Sequence, residues 1–154
     1  MRAIALAAAW LAVAAPAVAH AEPVAPQPGA RCPAVLVDAL TRASDQSTVL
    51  RCGDTGWQVV DDPHPHSDRW FSYGPALVLH GEAQRNREAD SGDWLATPQD
   101  SASRCTAVQT AIADTGSLGP PQTSAGEPGA PFAVEFLPLL FTVDLSGDCL
   151  WVRR

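Results

Sequence analysis

The densest run of metal-capable side chains in the sequence is 61–68, Asp-Asp-Pro-His-Pro-His-Ser-Asp, in which His64 and His66 stand two residues apart among three aspartates. Imidazole and carboxylate together suit Zn²⁺ or Cu²⁺, and in an extended strand residues i and i+2 share a face. Pro63 and Pro65 oppose that arrangement, because they favour polyproline II, whose threefold period turns His64 and His66 away from each other. The segment therefore reads first as a surface loop, with a Zn or Cu site at His64 and His66 as the alternative.

Nucleophilic chemistry has less to build on. No G-x-S-x-G elbow occurs: Ser72, Ser91, Ser124 and Ser146 stand in Phe-Ser-Tyr-Gly, Asp-Ser-Gly, Thr-Ser-Ala-Gly and Leu-Ser-Gly-Asp. His64, His66 and His80 are the available bases, and a pairing of His80 with Ser91 has no motif behind it. The carboxylates fall in no glycosidase pattern. The one Gly/Pro cluster, 118–129, has no helix after it to present to a phosphate. No catalytic residue and no cofactor is assigned, and an unrecognised hydrolase stays as a further alternative.

Arg69, Trp70, Phe71 and Tyr73 form the strongest candidate for a binding surface. Exposed, they would make a stacking platform for a sugar or an anchor for a protein partner. Buried, they would be core.

The compartment is read from the start of the chain. Residues 1–21 carry Arg2, an apolar run over 3–15, a break at Pro16 and Ala19-His20-Ala21, which together describe a signal peptide cleaved after Ala21. The apolar run is too short to span a bilayer, so no stable membrane insertion is expected after cleavage. An exported chain meets an oxidising environment, and Cys32, Cys52, Cys105 and Cys149 then read as two disulfides. No C-x-x-C is present and the spacings fit no zinc pattern. Of the three possible pairings, Cys32–Cys52 with Cys105–Cys149 closes one local loop in each half. The net charge is −7, all ten basic residues are Arg, and loss of Arg2 makes the remainder one charge more acidic. That balance excludes an electrostatic nucleic-acid binder.

These residues must be carried by a loop-rich scaffold, since 14 Pro and 11 Gly punctuate 154 residues. Residues 22–31 read as a Pro-rich, poorly ordered arm. Residues 33–43 read as a short helix, with Leu36, Leu40 and Ala43 on one face. Strands at 48–52 and 57–60 flank a Gly-Asp-Thr-Gly turn. Further strands are expected within 76–84, 94–97, 104–112, 132–136, 141–145 and 149–152, and 116–131 reads as a connection without strand chemistry in its middle. Period-2 alternation is clearest at Phe132, Val134 and Phe136 and at Phe141, Val143 and Leu145. The expected fold is mainly β, a small antiparallel sandwich or partly open barrel over 32–154, with one short N-terminal helix and two disulfides.

Ser91-Gly92-Asp93-Trp94, Ser103-Arg104-Cys105, Phe141 and Gly147-Asp148-Cys149-Leu150-Trp151 give residues 91–154 a likeness to a known module. This stretch resembles a C-terminal all-β module of actinobacterial exported proteins, in which a strand with Gly and an aromatic precedes one Cys and a late strand supplies the second. The resemblance implies a Cys105–Cys149 bond and transfers no catalytic residue. The function expected from all of this is a secreted, non-catalytic binding or adaptor module, acting outside the cell or at the envelope on an envelope component, an extracellular protein or a glycan.

Overall fold

Alternating apolar and polar residues favour strands wherever one face can be buried, and in this chain they produce two sheets. The computed structural model describes residues 24–74 and 76–154; the expected signal peptide lies outside the described residues. The strands are β1 (Leu40–Arg42), β2 (Val49–Gly53), β3 (Gly56–Val60), β4 (Arg69–Ser72), β5 (Leu77–His80), β6 (Gly92–Pro98), β7 (Thr106–Ala111), β8 (Gln122–Ala125), β9 (Phe132–Phe136), β10 (Leu140–Ser146) and β11 (Cys149–Arg153). One sheet has the order β3-β2-β1-β4-β11-β6-β9 and the other β5-β10-β7-β8. Pairing is antiparallel except between β1 and β4, which run parallel with Leu40 opposite Trp70. The fold is mainly β with two sheets and two disulfides, and among the described residues no closed barrel forms.

The larger sheet buries side chains on both faces, the second over only part of its width. Trp70, Trp94, Phe136, Cys149 and Trp151 point toward the smaller sheet and meet Leu77, Leu79, Ala107, Val143 and Leu145 in a shared core. Their neighbours along the strands, Leu50, Phe71, Tyr73 and Leu150, point the other way and are covered by Leu36, Ala39, Ala43 and the chain around Ala25 and Cys32. Successive side chains of a strand leave on opposite faces, so β4 and β11 each feed two cores.

The N-terminal helix expected over 33–43 is not formed. A 3-10 turn at Ala34–Leu36 is followed by Asp38 in the left-handed region, at φ 65°, and then by β1. A helix would have placed Leu36, Leu40 and Ala43 on one side. The extended chain instead sends Leu40 into the inter-sheet core and Leu36 and Ala43 into the other. Pairing with β2 outweighs the helical pattern: Asp38 N–H donates to Cys52 O at 2.9 Å, Cys52 N–H donates to Ala39 O at 3.0 Å, and the Cys32–Cys52 disulfide anchors the same place.

The segment expected to be a poorly ordered arm is docked where it is described. Gly29 N–H donates to Trp57 O and Trp57 N–H to Ala30 O, both at 2.8 Å. Gly56 makes this approach possible, since its φ is 114° and a Cβ there would strike the carbonyl oxygen of Ala30. Within 116–131, where no strand was expected in the middle, β8 pairs with β7 from Thr106↔Ala125 to Gln109↔Gln122. It is a mostly exposed edge strand, held by backbone hydrogen bonds and without a buried stripe to announce it.

The disulfides take the pairing Cys32–Cys52 and Cys105–Cys149. The second joins the start of β7 in the smaller sheet to β11 in the larger. Between β10 and β11 the chain itself changes sheet through Gly147, whose φ of 92° and contact with the Arg104 carbonyl admit no side chain. Replacing Cys105 and Cys149 by Ala should cost roughly 2–5 kcal/mol of stability by urea unfolding. An unchanged midpoint would mean that packing alone holds the two sheets in register.

Candidate functional site

Two places concentrate chemistry-bearing side chains. The first is a cleft of about 490 Å³ between the larger sheet and the N-terminal segment. Its floor is an aromatic row set by strand geometry: Phe71 and Tyr73, two residues apart, share a face, and Trp57 of β3 lies beside Phe71. Ring centroids are 6.1 Å apart for Trp57–Phe71 and 6.2 Å for Phe71–Tyr73, with near-parallel planes. Leu36, Pro33, the partly exposed Val35 and the chain from Val24 to Pro26 add to the apolar lining, and Arg31, Gln99 and Asp148 supply polar groups.

Of the four residues expected to form a binding surface, the cleft takes only Phe71 and Tyr73. Trp70 is wholly buried in the inter-sheet core, its indole N–H donating to Ser67 O at 3.1 Å and Glu88 O at 3.2 Å. Arg69 ties down the 3-10 turn, donating to Val37 O at 2.9 Å and Val35 O at 2.6 Å. Even Phe71 and Tyr73 offer little surface, so the cleft has an aromatic floor and not an exposed platform. The Tyr73 hydroxyl donates to Arg42 O at 2.9 Å, and burial, followed by the nearby Asp45 charge, pushes its pKa up. Burial raises the Asp148 pKa as well, and the like charge of Asp100 adds to it.

The second place lies where the loop 61–68 meets the end of β5. Here His64 and His66 face different carboxylates. His66 Nε2 is 3.0 Å from Asp90 Oδ2, in a surface network with Arg87 and Arg153. His64 turns inward and stacks on His80, with centroids 4.8 Å apart and planes 26° from parallel. Between these rings and the core lies Glu88, which is fully buried. His64 Nδ1 is 3.4 Å from Glu88 Oε1, and His80 Nδ1 is 3.9 Å from Oε2. The guanidinium of Arg42 donates to Oε1, and the backbone N–H of His80 donates to Oε2 at 2.9 Å. His80 and Ser91, the pair considered for hydrolysis, are engaged separately. The Ser91 hydroxyl donates to Glu82 at 2.8 Å, and the imidazole of His80 faces Glu88.

Several of these residues gave no signal in the sequence. Glu88 sits in the polar stretch 85–93, and neither its burial nor its partner Arg42, 46 residues away, follows from any local pattern. His80 lies inside the strand expected within 76–84, where nothing marks it as a site. Trp57 was placed correctly in a strand, but its alignment with Phe71 depends on the β1–β4 pairing that brings their strands into one sheet.

No family model, curated protein or solved structure matches this chain. The site must therefore be read from its own geometry.

Asp148 offers a direct check on the cleft. A carboxyl whose pKa is raised on folding holds its proton more tightly in the folded state, so its contribution to stability is present at acidic pH and is lost as pH rises through the folded pKa. Asp148→Asn removes that ionisation. The melting temperature of the variant relative to wild type should climb between pH 4 and pH 7. A difference independent of pH would place Asp148 in open solvent.

Proposed function

We propose that this chain is an exported, non-catalytic binding or adaptor module, acting at the cell envelope or outside the cell. The observation that carries the reading is the aromatic-floored cleft of about 490 Å³, whose size falls within the range of small-ligand sites and whose lining is mainly apolar with a few polar groups. Trp57 in β3, Phe71 in β4 and Tyr73 just beyond it pack ring against ring, so an entering apolar group meets a preformed surface. The two disulfides fit an oxidising compartment. Among the described residues no helix is long and apolar enough to cross a membrane. The partner in this reading is an envelope component, an extracellular protein or a glycan that places an apolar group in the cleft between Arg31 and Asp148.

Val35 lines the cleft with half its surface exposed, whereas Val78 is similarly exposed on β5 of the smaller sheet. The test is label-free binding of the purified protein to fractionated envelope proteins and polysaccharides. One fraction should bind wild type, and Val35→Asp should weaken that binding at least about tenfold, the loss of one well-placed apolar contact. Val78→Asp should bind as wild type does. Silence across all fractions, or equal behaviour of the two variants, overturns the reading.

A further inference from the structure

We infer that His64, His80 and Glu88 form a divalent transition-metal site of the Zn²⁺ class, separate from the aromatic cleft and different from a pairing of His64 with His66. Three observations lead there. The ligand atoms converge: one nitrogen of each imidazole and a carboxylate oxygen of Glu88 all lie within 4.8 Å of one another. The His64 Nδ1–Glu88 and His80 Nδ1–Glu88 separations are 3.4 and 3.9 Å. Tetrahedral Zn²⁺ with bonds of about 2.0–2.1 Å sets neighbouring ligand atoms about 3.3–3.4 Å apart. His64 Nδ1 already stands at that distance from Oε1, and the rest of the set, within 4.8 Å, closes by side-chain movements of up to about 1.4 Å.

The second observation is that both Nδ1 atoms are buried and make no hydrogen bond. A buried polar nitrogen without a partner costs free energy, and two of them beside one carboxylate are better explained by a shared cation than by two independent losses. The rings themselves are not sealed in. His64 and His80 are 33% and 28% exposed at the side chain, which leaves an entry path and an open coordination position on the solvent side.

The third is the support around Glu88. A carboxylate carries about four lone-pair positions, and here Arg42 takes one on Oε1 and the His80 N–H takes one on Oε2. Each oxygen keeps one for a metal. Arg42 and the His80 backbone then act as the outer shell that fixes the carboxylate, the arrangement typical of ligating groups. The Arg42 charge lowers the affinity for a dication, and the negative Glu88 between them offsets this. Imidazole with carboxylate selects Zn²⁺, Co²⁺, Ni²⁺ or Cu²⁺ over Mg²⁺ or Ca²⁺. The neighbouring group of His66, Asp68 and Asp90 is more exposed and already neutralised by Arg87 and Arg153, so it serves as the internal control.

The experiment titrates the untagged chain with Zn²⁺ by calorimetry and with Co²⁺ by visible absorption. One equivalent of Zn²⁺ should bind wild type, and Co²⁺ should give a low-symmetry visible band that Zn²⁺ abolishes. His64→Gln and His80→Gln, which keep the ring's approximate volume, should each weaken Zn²⁺ binding at least tenfold and remove the band, while His66→Gln should match wild type. No binding and no Co²⁺ band in wild type overturns the inference. So does loss of binding on replacing His66 with none on replacing His64 or His80. If a His→Gln variant fails to fold, the wild-type Co²⁺ band and its retention in His66→Gln decide the matter.

Discussion

The structure depends on one fully buried carboxylate. Glu88 arrives on a long connection between β5 of the smaller sheet and β6 of the larger, and its charge is answered by Arg42 at the end of β1 in the larger sheet. Burying an isolated carboxylate is prohibitive, and pairing it is strongly favoured only when the remaining lone pairs are also satisfied. Here the His80 N–H supplies a second bond, and Arg42 also donates to Pro63 O at 3.4 Å. The backbone of the same residue adds more, since Glu88 N–H donates to His80 O at 2.8 Å and Glu88 O accepts from Ser67 N–H at 3.0 Å and from the Trp70 indole. One residue thus joins both sheets and the loop that carries His64. The same network that stitches this end of the molecule presents two imidazoles to a fixed carboxylate.

A second constraint comes from the larger sheet. Its central strands are apolar on both faces, and the smaller sheet can cover only one. The other is left to a 3-10 turn and a Pro-rich segment, which have few backbone bonds of their own and are held by the Cys32–Cys52 bond, the Arg69 clamp and the contact at Gly56. Irregular chain covers a sheet less completely than a second sheet does. The cleft opens where that cover ends, above Trp57, Phe71 and Tyr73. Structural cover and candidate binding site are therefore two aspects of one packing problem, and the three aromatics serve both.

How much of this was legible in the sequence follows from the range of the interactions. The β2–β3 hairpin, the alternating strands β9 and β10 and the Cys-bearing β11 depend on local periodicity and turn residues, and they stand where that pattern put them. The disulfides join the cysteines that close local loops. The stretch 33–43 misled because Leu36, Leu40 and Ala43 fit a helical face, and only the pairing with β2 and a parallel contact with β4 make it extended. Strand β8 was hidden because an edge strand can be held by backbone alone. His64 and His66 face different carboxylates, Glu88 and Asp90, and that divergence is set by contacts 24 residues away in each case. What no local pattern could supply was Glu88, whose meaning lies in Arg42, His64 and His80, each from a different element.

Arg42 and Glu88 thus form a buried, mutually dependent unit that organises this end of the fold. A double-mutant cycle on stability, with Arg42→Met, Glu88→Leu and the combination, addresses it most directly. Each single change should be severe, about 3–5 kcal/mol, because it leaves the surviving polar partner buried and unanswered. The double variant should recover a large part of that loss. Single effects below about 1 kcal/mol that simply add, as for an exposed ion pair, would contradict it.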